Sequence, residues 1–227
     1  GTAHIIAISG FNVGIIAFII LLSLKAIGIK RRMRYFVSLP ILILHMLAVG
    51  ASPSIVRATI MVEIVLIGYL LGRETHIINS LSLAALIILA YNPLQIFDIG
   101  FQLSFVSVLG ILLLGPCISG LFVRKEKINS ALWYIINAFS VSLSAWLVTV
   151  GFIAYYFRIF SPITILANLV IVPYTSLVII LGFALGLAAA VNPIFSLPIA
   201  ATTNFSLGLL YKITHYLANL PLAYFYF

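Results

Sequence analysis

Two polar side chains that could do chemistry, Asp98 and Gln102, lie in an otherwise apolar segment at residues 92–105. Asp98 and Gln102 are four residues apart, so in a helix both project from one face about a turn apart. Hydrocarbon solvates neither a carboxylate nor an amide, so each needs a protein partner or water. The pair therefore predicts either contacts that hold this segment in place or a polar entrance to a path through a membrane.

A second apolar segment carries Arg57 and Glu63, whose six-residue offset places them on different helix faces. Glu63 lies about 14 Å along the helix from Ser54, near the middle of a hydrocarbon core about 30 Å thick. Asp98 begins its own helix at the level of Arg57. We predict an ion pair between Arg57 and Asp98, with two alternatives: both line an aqueous entrance, or Asp98 only caps its helix.

No motif for covalent or metal-dependent catalysis accompanies these residues. His4, His45 and His215 fall in separate apolar segments without ligand spacing. The single cysteine, Cys117, allows neither a disulfide nor a cysteine metal site within the chain. The sequence has no phosphate-binding loop and no H-E-x-x-H motif, and Ala7 stands where an intramembrane serine protease would need glycine. We expect no enzyme activity, no catalytic residue, no cofactor and no metal.

The composition is that of an integral membrane protein. Of 227 residues, 64% are hydrophobic and 7% are charged, which excludes a soluble domain with a polar surface. Runs such as residues 55–71 are apolar on all sides and lack the alternation of a β-barrel. We predict an all-α, polytopic membrane protein with about eight or nine spans, of which one or two are broken or re-entrant.

The net charge of +8 mainly reports topology. Basic residues cluster in alternate loops, and the loops between them, at residues 50–53 and 91–97, contain no Lys or Arg. The positive-inside rule therefore places the basic loops in the cytoplasm. These predicted cytoplasmic loops are residues 25–34, 73–76 and 124–127.

Two regions predict irregular helices. Between residues 161 and 192, Pro173 predicts a short half-helix, a break and then a full span. Near the start, Gly10 and Gly14 predict close helix packing or, with Asn12 between them, a bend that lines a wet cavity. No linker or repeat divides the chain, which predicts one membrane domain over residues 1–227. The other predicted spans are residues 3–24, 35–50, 55–72, 77–91, 99–122, 131–157 and 194–220.

Three polar blocks, at residues 1–14, 54–61 and 92–105, resemble in order and spacing successive blocks of the ComEC-type competence family. A fourth, weaker block is residues 168–173, and Leu220-Pro221 resembles the closing segment of the family. The resemblance covers essentially the whole chain. One departure is Asn12, where many members carry His.

The resemblance implies a multi-pass inner-membrane channel that passes single-stranded DNA into the cytoplasm during natural transformation. It also implies a cytoplasmic helicase-like ATPase motor and a DNA receptor on the outer side, beside the lipid bilayer, and fixes no oligomeric state. Family members carry an OB-like and a metallo-β-lactamase-like domain beside this region, so we expect a fragment of a longer protein that lacks both. The candidate residues of the DNA path are His4, Ser9, Asn12, Arg57, Gln102 and Asn168.

Two other functions fit the same residues. In a secondary transporter of a small solute, the broken helices would hold substrate at the midplane and Glu63 would couple transport to protons. In a scaffold that transports nothing, Arg57 and Asp98 would form a purely structural pair.

Overall fold

The computed structural model describes residues 10–73, 76–122, 129–220 and 225–226, and most of these residues are helical. The prediction of an all-α membrane fold is confirmed, since eight α-helices form within the described residues. Pro93–Phe97 form a 3₁₀ turn, and two short strands, β1 (Ile159–Phe160) and β2 (Phe225–Tyr226), were not predicted. The helices are α1 (Gly10–Ala26), α2 (Arg31–Ala48), α3 (Pro53–Leu70), α4 (Ile77–Tyr91), α5 (Ile99–Phe122), α6 (Ser130–Phe157), α7 (Ile163–Val191) and α8 (Pro193–Ala218).

Four of these helices, α3, α5, α6 and α7, are long and apolar enough to cross a membrane. Helices α1 and α4 are apolar but shorter, with 17 and 15 residues. The count of eight or nine spans therefore stays a prediction.

The chain divides into two compact units, the first ending at Phe105 and the second beginning at Val106. In the first unit α3 packs against α1, α2 and α4. Gly10 of α1 approaches Ala58 of α3 so closely that a Cβ on the glycine would lie 3.0 Å from the alanine Cβ. The predicted close packing thus occurs at Gly10, whereas nothing lies within 4 Å of such an atom at Gly14. The core residues are Val13, Ala17, Ile20, Leu42, Ile55 and Leu66.

In the second unit α7 packs against both α6 and α8. Ser142 of α6 is buried and donates to the Ile165 carbonyl of α7 at 3.0 Å, so a small polar residue lets the two helices approach. β1 and β2 pair antiparallel, with Phe160 opposite Phe225. The single-domain prediction for residues 1–227 stays a prediction.

The predicted break near Pro173 is wrong. α7 is one helix of 29 residues with Pro173 inside it. Proline removes one backbone donor, but a neighbouring helix can hold such a helix together. The neighbour here is α8, whose Ser206 carbonyl accepts the Tyr174 hydroxyl at 3.2 Å.

Around Asn12, where the sequence offered close packing or a bend, the described residues are helical from Gly10 onward and show the close packing at Gly10. Helix α2 begins at Arg31, four residues earlier than predicted, so Arg31, Arg32 and Arg34 belong to its first turn.

Candidate functional site

The most distinctive polar contact joins Arg57 of α3 to Asp98 at the head of α5. α3 begins with Pro53 at its first position, where a missing backbone donor costs nothing, and Arg57 follows one turn later. Arg57 Nη1 lies 3.4 Å from Asp98 Oδ1. The Arg57 side chain is 5% exposed and that of Asp98 is 47% exposed, so the carboxylate is the member of the pair that faces outward.

Asp98 also caps its helix. Its Oδ1 accepts the Phe101 backbone N–H at 2.7 Å, and its carbonyl accepts the Gln102 N–H at 3.0 Å. A carboxylate at this position satisfies a free helix donor and interacts favourably with the helix dipole. One oxygen thus serves both the cap and the ion pair that the sequence offered as alternatives.

Gly100 leaves the space in which Arg57 meets Asp98. This role of Gly100 was not predicted from the sequence. A Cβ at Gly100 would lie 2.9 Å from Arg57 Nη2 and 3.0 Å from Asp98 Oδ1. Contacts that short would force the guanidinium to move. The only sequence signal was a glycine two residues after the cap, which fits many helix starts equally well.

Gln102 fastens the 3₁₀ turn that precedes Asp98. Its Nε2 donates to the Ile96 carbonyl at 2.9 Å, and at the start of the turn the Asn92 side chain accepts the Leu94 N–H at 3.1 Å. Phe101 and Phe105 of α5 are both 7% exposed and their ring centroids lie 4.3 Å apart. These two rings pack inside the first unit.

Asn168 lies in the second unit, where it lines a cavity of about 200 Å³ between α6 and α7. Trp146 donates its indole N–H to the Ser161 carbonyl at 2.9 Å, and Thr164 donates to the Ser161 hydroxyl at 2.9 Å. The lining carries hydroxyl, indole and amide groups and no charge. The cavity is lined by Ser107, Ala145, Trp146, Thr149, Val150, Ile153, Ile159, Ser161, Thr164 and Asn168.

Comparison with known proteins decides the family. The model of a family described as "Competence protein" matches residues 1–227. The chain belongs to the competence protein family. It is similar to ComE operon protein 3 of Bacillus subtilis (strain 168), with 30% identity over 186 residues, which cover 82% of this chain and 23% of the relative. This competence-family chain therefore spans about a quarter of its curated relative, and no solved structure matches it.

The remaining candidate residues of this competence protein are placed as follows. Asn12 lies in the first turn of α1, and it is half-buried. His4 and Ser9 lie outside the described residues. Within the described ranges, no group of three His, Cys, Asp or Glu side chains could hold a metal ion.

α3 of this competence protein also contains buried polar atoms that find no hydrogen-bond partner within the described part of the chain. They are Arg57 Nε, Thr59 Oγ1 and Glu63 Oε1. Thr59 and Glu63 are four residues apart and share one helix face. Leaving such groups unpaired costs folding free energy. This face of α3 is therefore a candidate for a role beyond packing.

Proposed function

We propose that this chain forms the membrane channel through which single-stranded DNA enters the cytoplasm in natural transformation. The observation that carries the proposal is the family match over the whole chain. It is supported by four helices that are long and apolar enough to cross a membrane and by polar side chains placed on those helices. The channel catalyses no reaction of its own.

In this proposal Arg57 and Asp98 shape the entrance. Because Arg57 is 5% exposed and Asp98 is 47% exposed, the guanidinium acts mainly as the anchor of the α5 head. A cation already paired with a carboxylate attracts phosphate only modestly. That suits a channel, because a strong electrostatic site would hold the strand instead of passing it.

Asn12, Gln102 and Asn168 are the polar groups that we assign to the path beyond the entrance, together with His4 and Ser9. The amide and hydroxyl groups among them carry no charge. Hydroxyl and amide groups can exchange hydrogen bonds with a moving strand without trapping it. The basic residues at the ends of α1, α2 and α3 face the cytoplasm of an inner-membrane protein; they are Lys25, Lys30, Arg31, Arg32, Arg34 and Arg73.

Transport needs a motor outside this chain. Each nucleotide carries one charge, and an inside-negative potential opposes its entry by about 2.3 kcal/mol per 100 mV. A passive path would not import a long strand against that potential. We therefore assign a cytoplasmic helicase-like ATPase and a DNA receptor on the outer side as partners. Import of long single strands into liposomes by the purified protein alone, against an inside-negative potential, would rule out the motor requirement.

The test of the function follows labelled DNA in competent cells. Deletion of the full-length protein should leave DNA binding at the cell surface intact and abolish the nuclease-protected single strands in the cytoplasm. Complementation with the wild-type gene should restore them. Normal cytoplasmic DNA in the deletion strain would contradict the proposal.

A secondary transporter remains the second candidate, favoured by one observation. Glu63 Oε1 is buried in α3 without a hydrogen-bond partner among the described residues, as a proton-coupling carboxylate would be. Loss of proton-coupled uptake of a small solute in a Glu63→Gln variant would support this candidate.

A further inference from the structure

One face of α8 is polar and exposed over more than half of the helix. The spacing of these residues is four, four and three along α8, with Asn219 four residues further at its C-cap, so they fall on one side of the helix. They extend about 22 Å along the axis. We call this face the polar α8 strip; it consists of Asn204, Gly208, Lys212, His215 and Asn219, all exposed.

The strip lies on the side of α8 that faces away from α7. The opposite side is buried at Thr203, Ser206 and Thr214. The Ser206 carbonyl on that side accepts the Tyr174 hydroxyl of α7, which fixes the direction in which α8 is packed. α7 is the only element that α8 contacts extensively in the described part of the chain.

The polar α8 strip is too polar to face the lipid hydrocarbon. Asn204 is near the middle of α8, about 16 Å from Pro193 and about 21 Å from Ala218. A Lys near a helix end can reach the headgroups, but an Asn at mid-helix cannot. α8 has 26 residues, yet it is not among the four described helices that are long and apolar enough to cross a membrane.

Lys212 forms no ion pair within the described part of the chain, and the sequence contains no Asp or Glu after Glu126. Aromatic groups at and beside the strip are held in a fixed arrangement. The Tyr211 ring, 66% exposed, stacks on His215 with the centroids 6.0 Å apart. His215 Nε2 lies 3.0 Å from Asn219 Nδ2 within hydrogen-bond distance, so the imidazole is held from both sides.

A cation with no ion-pair partner among the described residues, flanked by exposed rings and amides, is the combination that binds single-stranded nucleic acid. We propose that the polar α8 strip is a wall of the DNA path, with Lys212 binding phosphate and the Tyr211–His215 pair contacting bases. This inference rests on the proposed function and adds a binding surface to it. Lipid phosphate is the competing partner, and the experiment separates the two.

The experiment uses the full-length protein in competent cells with Cys117→Ser as the background. Cysteines are placed in the strip at Asn204 and at Gly208, where nothing lies within 4 Å of a Cβ. Control cysteines replace Leu207 and Leu209, which are 49% and 38% exposed but lie off the strip. A charged, water-soluble thiol reagent should label the strip positions about tenfold faster than the controls, because it does not enter lipid.

Single-stranded DNA stalled in transit by a block on its trailing end should then slow labelling of the strip and leave the controls unchanged. Equal labelling of strip and controls, or strip labelling that stalled DNA does not slow, would overturn the inference. Under the lipid alternative, Asn204 and Gly208 would stay unlabelled.

Lys212 gives the second readout. Lys212→Gln should lower cytoplasmic DNA about tenfold, as expected for loss of one charge-assisted contact, and Lys212→Arg should retain most uptake. Equal uptake by the two variants, at equal membrane levels, would count against the phosphate role.

Failure of this inference can be distinguished from failure of the proposed function. If deletion of the whole protein abolishes DNA uptake but stalled DNA does not protect the strip from labelling, only this inference fails. If deletion leaves DNA uptake intact, the proposed function itself fails.

Discussion

Arg57 and Asp98 are 41 residues apart in the chain and meet at a single oxygen atom. Asp98 Oδ1 lies 3.4 Å from Arg57 Nη1 and accepts the Phe101 N–H at 2.7 Å. The shorter of the two contacts is the cap. The pair therefore ties α3 to the first turn of α5, and the helix start depends on the same carboxylate as the ion pair.

Asp98→Asn and Asp98→Ala separate these two roles. Asparagine keeps an oxygen that can accept the Phe101 N–H, whereas alanine removes the cap and the charge together. Both variants leave Arg57 without its carboxylate, but Asp98→Ala should lose about 1 kcal/mol more of the free energy of unfolding, the usual value of a cap. Thermal unfolding of the purified protein in detergent measures the difference. Equal losses would show that capping by Asp98 contributes little.

Gly100→Ala tests the space that the glycine leaves. Alanine favours a helix over glycine by about 1 kcal/mol, so the protein should stay folded and reach the membrane. A methyl group placed 2.9 Å from Arg57 Nη2 should nevertheless displace the guanidinium and lower DNA uptake. Gly14→Ala is the matched control, because nothing lies within 4 Å of that position. Full uptake by Gly100→Ala would mean that the exact position of Arg57 does not matter.

Gln102→Ala distinguishes a fastening role from a role in the path. Loss of its hydrogen bond to the Ile96 carbonyl should cost only about 1 kcal/mol of stability, since that carbonyl can turn to water. If Gln102 also contacts the strand, uptake should fall much more than stability does. Gln95→Ala, in the same 3₁₀ turn, is the control and should keep its uptake. If Gln102→Ala and Gln95→Ala both lost only a little stability and a little DNA uptake, Gln102 would have a structural role alone.

Glu63→Gln tests the channel against the transporter. A neutral amide is less costly to bury than an unpartnered carboxylate, so a channel should keep its uptake and gain about 1 kcal/mol of stability. Thr59→Val, which removes another unpartnered atom from a residue that is 1% exposed, should also be stabilising and neutral for uptake. A Glu63→Gln variant that folds normally and loses proton-coupled uptake of a small solute would be evidence for the transporter, and one that folds normally and loses DNA uptake would contradict the expectation for a channel.

The sequence was sufficient to predict the contact that depends on depth in the membrane. Apolar runs placed Arg57 and Asp98 at one level, and that was enough to propose their pair. It did not reach Gly100, because the space around a residue depends on how two distant helices pack. It was wrong at Pro173, because the effect of a proline depends on the neighbouring helix.

The polar α8 strip shows a different limit. Its spacing is visible in the sequence, yet His215 was considered only as an isolated histidine and Lys212 was not considered at all. The significance of the face depends on which side of α8 packs against α7, which the burial of Thr203 and Ser206 establishes. Periodicity alone does not distinguish a buried polar face from an exposed one.

The most direct test of the channel is to crosslink a strand in transit to its walls. Cysteines at positions 12 and 102, in a Cys117→Ser background, would be exposed to single-stranded DNA that carries thiol-reactive groups and a bulky block on its trailing end. Control cysteines would replace Phe18 and Leu86, which are exposed apolar residues of α1 and α4. The channel account predicts crosslinks at 12 and 102 and none at 18 and 86. Absence of crosslinks at both 12 and 102, in cells that still import DNA, would contradict it.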